Sequence, residues 1–403
     1  MNKVYISIML AIIGLSAKTQ TAYITNSGNN TVSVINVATN TVVATIPVGS
    51  CPFGVSVSPD GSKVYVTNSC YKTVNSINTA TNIVSDTITV GIWPHGISIT
   101  PDGNKVYVAN DSSNTVSVIN TSTNTVSATI TGFSCPFGVS VTPDGSKVYI
   151  TNSPNTVSVI NTATNIVSAT ITVGNTPEGL SVSPDGKKVY VANEADGTVS
   201  VINTATNTVT ATITGIFVPG GVSVTPDGSM IYVVNGGLSG SGNTVCVIDS
   251  ATNTVIDTIP VGSCPFGVSV TPDGSEVYVV NQYPSNSISV INTATNIVSA
   301  TIIVGLGPTA FGNFISTANV GIAPHSMVAA DISIYPNPSA NNITIESLQE
   351  AVIEITNIQG QLVKTFATTG NKTNIDVSAL PSGMYIVEVK SDKVYKIGKF
   401  VKE

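Results

Sequence analysis

PFGVSVSPDGSKVYVTNSCYKTVNSINTATNIVSDTITVGIW, residues 52–93, is one copy of a sentence that recurs along most of this 403-residue chain. Its tyrosine returns at Tyr23, Tyr65, Tyr107, Tyr149, Tyr190, Tyr232 and Tyr278, at spacings of 42, 42, 42, 41, 42 and 46 residues. A fixed period of this length marks stacked or radially repeated supersecondary units. Four runs within the copy alternate with period two: GVSVS (54–58), KVYVTN (63–68), TVNSINT (73–79) and IVSDTITV (83–90). Pro59-Asp60-Gly61 closes the first run. Proline presets φ there, aspartate bonds backbone amides, and glycine accepts a positive φ. Four short antiparallel strands per period predict one propeller blade. A solenoid of β-arches is the alternative, but it has shorter periods and parallel strands that need no such hairpins.

The parts of the repeat do not occur equally often. The first-strand proline occurs at Pro52, Pro94, Pro136, Pro177, Pro219 and Pro265, and the turn aspartate at Asp60, Asp102, Asp144, Asp185, Asp227 and Asp273. Seven tyrosines therefore face six turns, and the first copy lacks its first strand. GPTAFGNFIST (307–317) offers a candidate, with Pro308 placed 43 residues after Pro265. The expected fold is all-β: a seven-bladed β-propeller, its ring closed by pairing of a C-terminal strand 307–317 with the N-terminal strands, plus a small C-terminal β-sandwich. The expected organisation is a signal peptide at 1–19, the propeller at 20–317, a linker at 318–331 and the sandwich at 332–403.

Charged residues make up only 9% of the chain, and all 15 basic residues are lysine. Residues 20–317 hold 6 Lys against 14 Asp and Glu, a net of −8, and no basic residue lies between Lys188 and Lys364. Such a surface repels phosphate backbones, so nucleic acid is not an expected partner. Lys3, an apolar run from Val4 to Leu15, then Ser16 and Ala17 follow the order of a secretory signal peptide. A buried strand or short membrane anchor is the other reading. The run is shorter than the ~20 residues a spanning helix needs, so the mature chain is expected to carry no transmembrane segment.

The copies PFGVSVSPDGSKVYVTN (52–68), PHGISITPDGNKVYVAN (94–110), PFGVSVTPDGSKVYITN (136–152), PEGLSVSPDGKKVYVAN (177–193), PGGVSVTPDGSMIYVVN (219–235) and PFGVSVTPDGSEVYVVN (265–281) together resemble the YVTN-type β-propeller repeat of microbial cell-surface and surface-layer proteins. That resemblance covers about three quarters of the chain and implies fold far more than activity. After 331 the composition changes. Tyr335-Pro336-Asn337-Pro338, Ile358-Gln359-Gly360, Ile375-Asp376-Val377-Ser378, Leu380-Pro381-Ser382-Gly383-Met384-Tyr385 and the Lys399-Phe400-Val401-Lys402 end resemble the C-terminal sorting domain of Bacteroidota type IX secretion substrates. The resemblance implies passage across the outer membrane through type IX machinery, and a secreted or cell-surface protein. An ordinary adhesive sandwich is the alternative.

Catalytic chemistry finds few residues. The two histidines are His95, in Trp93-Pro94-His95-Gly96, and His325 in the linker. No Cys or His lies at metal-ligand spacing and no GxSxG elbow occurs, so no metal, cofactor or catalytic residue is expected. The turn aspartates are expected to bond their own turns; a shallow Ca²⁺ or anion-repelling ring is the weaker reading. The asparagines after each second strand are expected to satisfy backbone groups at the turn. Antiparallel connectivity places the loops joining strands four to one and two to three on the face opposite the Pro-Asp-Gly turns. There the copies disagree, at Phe53, Trp93, His95, Phe137, Glu178 and Phe266, and at Tyr71, Lys72, Asp111, Glu194, Asp196 and Gln282-Tyr283. The sixth copy adds a longer loop, 236–242. Departures on one face are where partner specificity is expected, and aromatic side chains there suit surface proteins or glycans. Five cysteines leave at least one unpaired: Cys51 with Cys70 is the expected disulfide, and Cys246 is expected to be buried in a strand. Two functions follow: a non-catalytic interaction, adhesion or surface-layer module, or a lactonase-like or other hydrolytic propeller with its site on the loop face near the channel.

Overall fold

The computed structural model describes residues 20–236, 242–316, 332–346, 351–357, 362–368, 370, 372–390 and 395–403. The expected signal peptide, the linker 318–331, residues 237–241 of the longer loop and Gly360 lie outside these. The chain divides between Ala323 and Pro324 into two compact units.

The first unit is a series of antiparallel sheets. β1 (Thr21–Asn26), β2 (Thr31–Asn36) and β3 (Thr41–Pro47) form a three-stranded sheet. β4 (Pro52–Val57), β5 (Lys63–Asn68), β6 (Thr73–Asn78) and β7 (Ile83–Thr89) form the next, with four strands in sequence order. Five more four-stranded sheets repeat that plan over 94–131, 136–172, 177–213, 219–260 and 265–303. The first three strands of a sheet are largely buried, and the fourth alternates between exposed and half-buried residues. Alternating Val, Ile, Thr and Ser suit such a pleated, part-buried surface. Each Pro-Asp-Gly aspartate bonds its own turn. Asp60 accepts from the Ser58 and Ser62 hydroxyls and the Ser62 amide, and Asp144 does the same in its copy.

Two features join one sheet to the next. The first is the glycine of each Pro-x-Gly. A Cβ on Gly54 would lie 2.2 Å from the His95 carbonyl oxygen, and one on Gly96 would lie 2.2 Å from that of Phe137. Only glycine lets consecutive first strands approach this closely. The second is the repeat tyrosine. Tyr65, Tyr107, Tyr149 and Tyr232 donate to the side-chain oxygens of Asn124, Asn165, Asn207 and Asn296, each in the turn before the following sheet's fourth strand. Tyr278 makes the matching bond to Asn40, so the last sheet reaches the first. Burial pushes the Tyr65, Tyr107 and Tyr149 phenols up to about 12, which keeps them donors.

The expected ring closure is corrected. Among the described residues, segment 307–317 forms no strand, the first sheet keeps three strands, and no sheet closes into a ring. The segment touches β1 at two isolated bridges, Ala22 with Ile315 and Asn26 with Pro308, and β4 at a parallel bridge between Gly54 and Phe311. The backbone explains the difference. Pro308 has no amide hydrogen to donate, and Gly307, Ala310 and Gly312 all have positive φ, at 60°, 36° and 116°. A chain kinked at three points cannot sustain a strand ladder. Its bonds are shared instead, with the Tyr23 amide donating to the Phe314 carbonyl and the Val55 amide to the Phe311 carbonyl.

The strand-end asparagines also differ from expectation. They bond side chains more than backbone: the Asn26 amide donates to the Thr31 and Ser33 hydroxyls, and Asn110 to those of Thr115 and Ser117.

The second unit packs two small sheets. One joins Ile334–Tyr335, Asn342–Glu346 and Lys372–Asp376; the other joins Leu362–Ala367, Val352–Asn357, Gly383–Lys390 and Tyr395–Lys402. Ile343, Ile345, Ile353, Ile355, Val387, Val389 and Phe400 form its core.

The tyrosine latch yields a paired prediction. Tyr23 is buried, yet its hydroxyl has no hydrogen-bond partner. Tyr107→Phe should therefore cost about 1 kcal/mol, whereas Tyr23→Phe should be neutral or slightly stabilising. Urea denaturation of both variants checks this; equal losses would contradict the latch.

Candidate binding face

Residue x of Pro-x-Gly is the position the close approach of first strands controls. It is Phe53, His95, Phe137, Glu178, Gly220 and Phe266 in successive copies. The structure brings four of these together. The Phe53 ring centroid lies 4.7 Å from that of His95, 5.7 Å from Phe137 and 5.4 Å from Phe266. Phe311, from the kinked segment after the repeats, completes the cluster at 5.3 Å from Phe137 and 5.5 Å from Phe266. Several pairs meet edge-on, the arrangement that aromatic quadrupoles favour. Counting repeats does not find Phe311. The available signal was a Phe-Gly pair, Phe311-Gly312, two residues later in register than Phe53-Gly54.

Beside this plug lies a cavity of about 300 Å³, lined by first-strand residues including Ser98, Ser140, Ser181, Ser223 and Ser269 and by Phe311. One of these hydroxyls serves the scaffold: Ser223 accepts from the Val270 amide, as Ser56, outside the lining, does from the Ile99 amide.

Trp93 extends the cluster outward. Its ring lies 6.3 Å from that of His95, and its side chain is 53% exposed. The residue has φ +55°, and its carbonyl accepts from the Asp111 amide, which ties the entry loop to the end of the second strand. The Asp111 carboxylate lies 3.6 Å from His95 Nδ1. Burial pushes the imidazole down to about 4, so this contact is not an ion pair at neutral pH. Burial also raises the pKa of the Asp111 carboxyl.

The remaining expected residues are placed as follows. Glu178 is buried, and its carbonyl accepts from the Thr151 hydroxyl. The Glu194 amide donates to the Thr176 carbonyl. Asp196 accepts from the backbone and side-chain nitrogens of Asn175, which hold its carboxyl below the usual range. Among the described residues no three or more His, Cys, Asp or Glu side chains are arranged to hold a metal ion. Cys51 and Cys70 form a disulfide with Cα atoms 5.6 Å apart, joining the entry loop of the second sheet to its 3₁₀ turn at Ser69–Tyr71. Cys246 is buried, Cys135 exposed and Cys264 half-buried.

In the second unit, Asn337 of Tyr335-Pro336-Asn337-Pro338 clamps the final strand. Its side chain donates to the Lys399 carbonyl and accepts from the Val401 amide. Tyr335 contacts Lys372, which pairs with Glu346 at 3.2 Å. Gly383 begins the strand that carries Tyr385, and Tyr385 stacks on Phe400 and donates to the Pro381 carbonyl.

Two predictions follow from this geometry. The folded protein keeps His95 neutral down to about pH 4, while the unfolded chain takes up the proton from about 6.5. The stability this burial permits is complete above that range and should be lost as pH falls from about 6.5 to about 4, by about 3 kcal/mol. His95→Phe, which installs the residue of three other copies, should flatten that slope; pH-resolved denaturation curves report it. Replacing Cys51 and Cys70 together by serine should lower stability by roughly 3 kcal/mol, read as the drop in denaturant midpoint.

A family model described as a YNCE-like beta-propeller matches residues 57–154 and 145–239, and one described as a secretion system C-terminal sorting domain matches 333–403. None of the curated proteins matches this sequence. Among solved structures, hydrazine synthase of Kuenenia stuttgartiensis is 24% identical with a TM-score of 0.59, covering 72% of this chain and 99% of that one. A functionally unknown protein from Desulfotomaculum acetoxidans is 18% identical with a TM-score of 0.63, at the same coverage. The dihydro-heme d1 dehydrogenase NirN, in complex with DHE, is 15% identical with a TM-score of 0.54, covering 89% of this chain and 75% of that one. At these identities the likeness concerns fold alone. No helix among the described residues is long and apolar enough to cross a membrane. The chain thus joins a β-propeller repeat domain to a secretion system C-terminal sorting domain.

Proposed function

We propose that this protein is a secreted or cell-surface interaction module of the YVTN kind, from a Bacteroidota-like background. Residues 332–403 direct its export through type IX secretion, and the loop face of 20–317 makes non-catalytic contacts with surface proteins or glycans. The observation that carries this reading is the match of 333–403 to a secretion sorting domain on a chain whose departures from repeat include several aromatic residues on one face. Exposed Tyr71, Trp93, Phe217 and Tyr283 all lie in loops joining strands four to one or two to three. Rigid aromatic side chains give contact area at small entropic cost. A hydrolytic site would need convergent acidic groups, and Asp196 is already committed to Asn175.

Export is the direct test. In a bacterium with type IX machinery, the full chain should reach the surface or medium, and a chain ending at Asp331 should remain in the periplasm. Equal export of the two would contradict the assignment of the tail.

A further inference from the structure

The aromatic series at the loop face ends beside a carboxylate that has no counter-charge. The turn aspartates and Asp196 accept hydrogen bonds that lower their pKa values. Asp111 differs. Its charged-group contact is His95 Nδ1 at 3.6 Å, longer than a hydrogen bond, and that imidazole is neutral. The carboxylate is only 23% exposed, so water compensates it in part. The one tryptophan of the chain, half of its surface open, is tied to Asp111 through its carbonyl, which accepts from the Asp111 amide at 2.9 Å, and its ring lies 6.3 Å from that of His95, the residue that Asp111 faces.

We propose that Trp93 and Asp111 form a docking site for a lysine or arginine side chain presented by a partner polypeptide. This rests on the reading of the loop face as an interaction surface. The indole is the side chain with the strongest attraction for a cation over its face. A carboxylate beside it adds a charge-assisted hydrogen bond, stronger where water is partly excluded. The surrounding domain, with 6 Lys against 14 acids, steers cations toward it and anions away. A neutral sugar would gain the stacking and leave the carboxylate without its counter-charge. A phosphate or an anionic glycan would be repelled.

The full-length protein supplies its own probe, because all indole emission comes from Trp93. Titration with hexalysine should give a saturable, salt-sensitive change in that emission, and the uncharged cellohexaose should give none. Asp111→Asn should weaken hexalysine binding by about tenfold. Trp93→Ala should weaken it several-fold, read by anisotropy of labelled hexalysine. Asp249→Asn removes the same charge and installs the asparagine found at that position in other copies, as at Asn36, Asn78 and Asn120. It should change binding by less than about twofold. Circular dichroism and melting curves confirm that each variant is folded. The site is overturned if hexalysine does not bind, if Asp111→Asn binds it as tightly as the parent, or if cellohexaose saturates the signal instead. Should the secreted Asp111→Asn protein still coat its producing cells as the parent does, the cation site falls while the surface-module reading stands.

Discussion

The arrangement of the first unit depends on how closely one first strand can approach the next. In six copies, a methyl group on the Pro-x-Gly glycine would lie 2.2–2.5 Å from a carbonyl oxygen of the neighbouring segment. Backbone this close leaves no choice of residue and little choice of angle. Residue x is therefore carried toward the same place in every copy, whatever its side chain. That is why Phe53, His95, Phe137 and Phe266, between 42 residues apart (Phe53 with His95) and 213 apart (Phe53 with Phe266), meet as one cluster. The scaffold fixes the address, and the sequence at x decides what is delivered there.

Features decided within one hairpin were legible in the sequence. The strands follow the period-two runs, and the turn aspartates bond their own serines and threonines. Features decided between sheets were not. The tyrosine recurs visibly, but its asparagine acceptor lies 58 or 59 residues on for Tyr65, Tyr107 and Tyr149, and nothing local pairs them. The end of the repeat misled for a related reason. GPTAFGNFIST has the proline and the apolar residues of a first strand, yet Ala310 adopts a positive φ that composition does not announce. Contacts with both β1 and β4 override local preference there, and the same kink delivers Phe311 to the plug.

The candidate site was legible as a set of residues and not as a geometry. Trp93, His95 and Asp111 stand out because they break the repeat on one face. Their relation does not: the neutrality of His95 comes from burial among rings of separate sheets, and its 3.6 Å approach to the Asp111 carboxylate appears only in three dimensions. The second unit shows the same division. Asn337 was visible as part of a motif, but its role as a clamp needs the final strand in place beside it.

The outer strands show how apolar edges with few charges are kept irregular. Ile83, Ile166 and Ile297 are more than 60% exposed on fourth strands that carry few charges, a pattern that in a flat edge would invite pairing with another chain. These edges are not flat. The third-to-fourth strand register shifts in each four-stranded sheet of the first unit, as at Ser76/Ile77, Val118/Ile119 and Val159/Ile160. In several sheets a hydroxyl on the displaced residue bonds back across the gap: Ser85 to the Ser76 carbonyl, Ser127 to that of Val118, and Ser299 to that of Val290. Bulges of this kind bend and twist an edge away from a straight partner. In a chain with only 9% charged residues, backbone geometry thus takes the part that charged side chains play on other exposed edges.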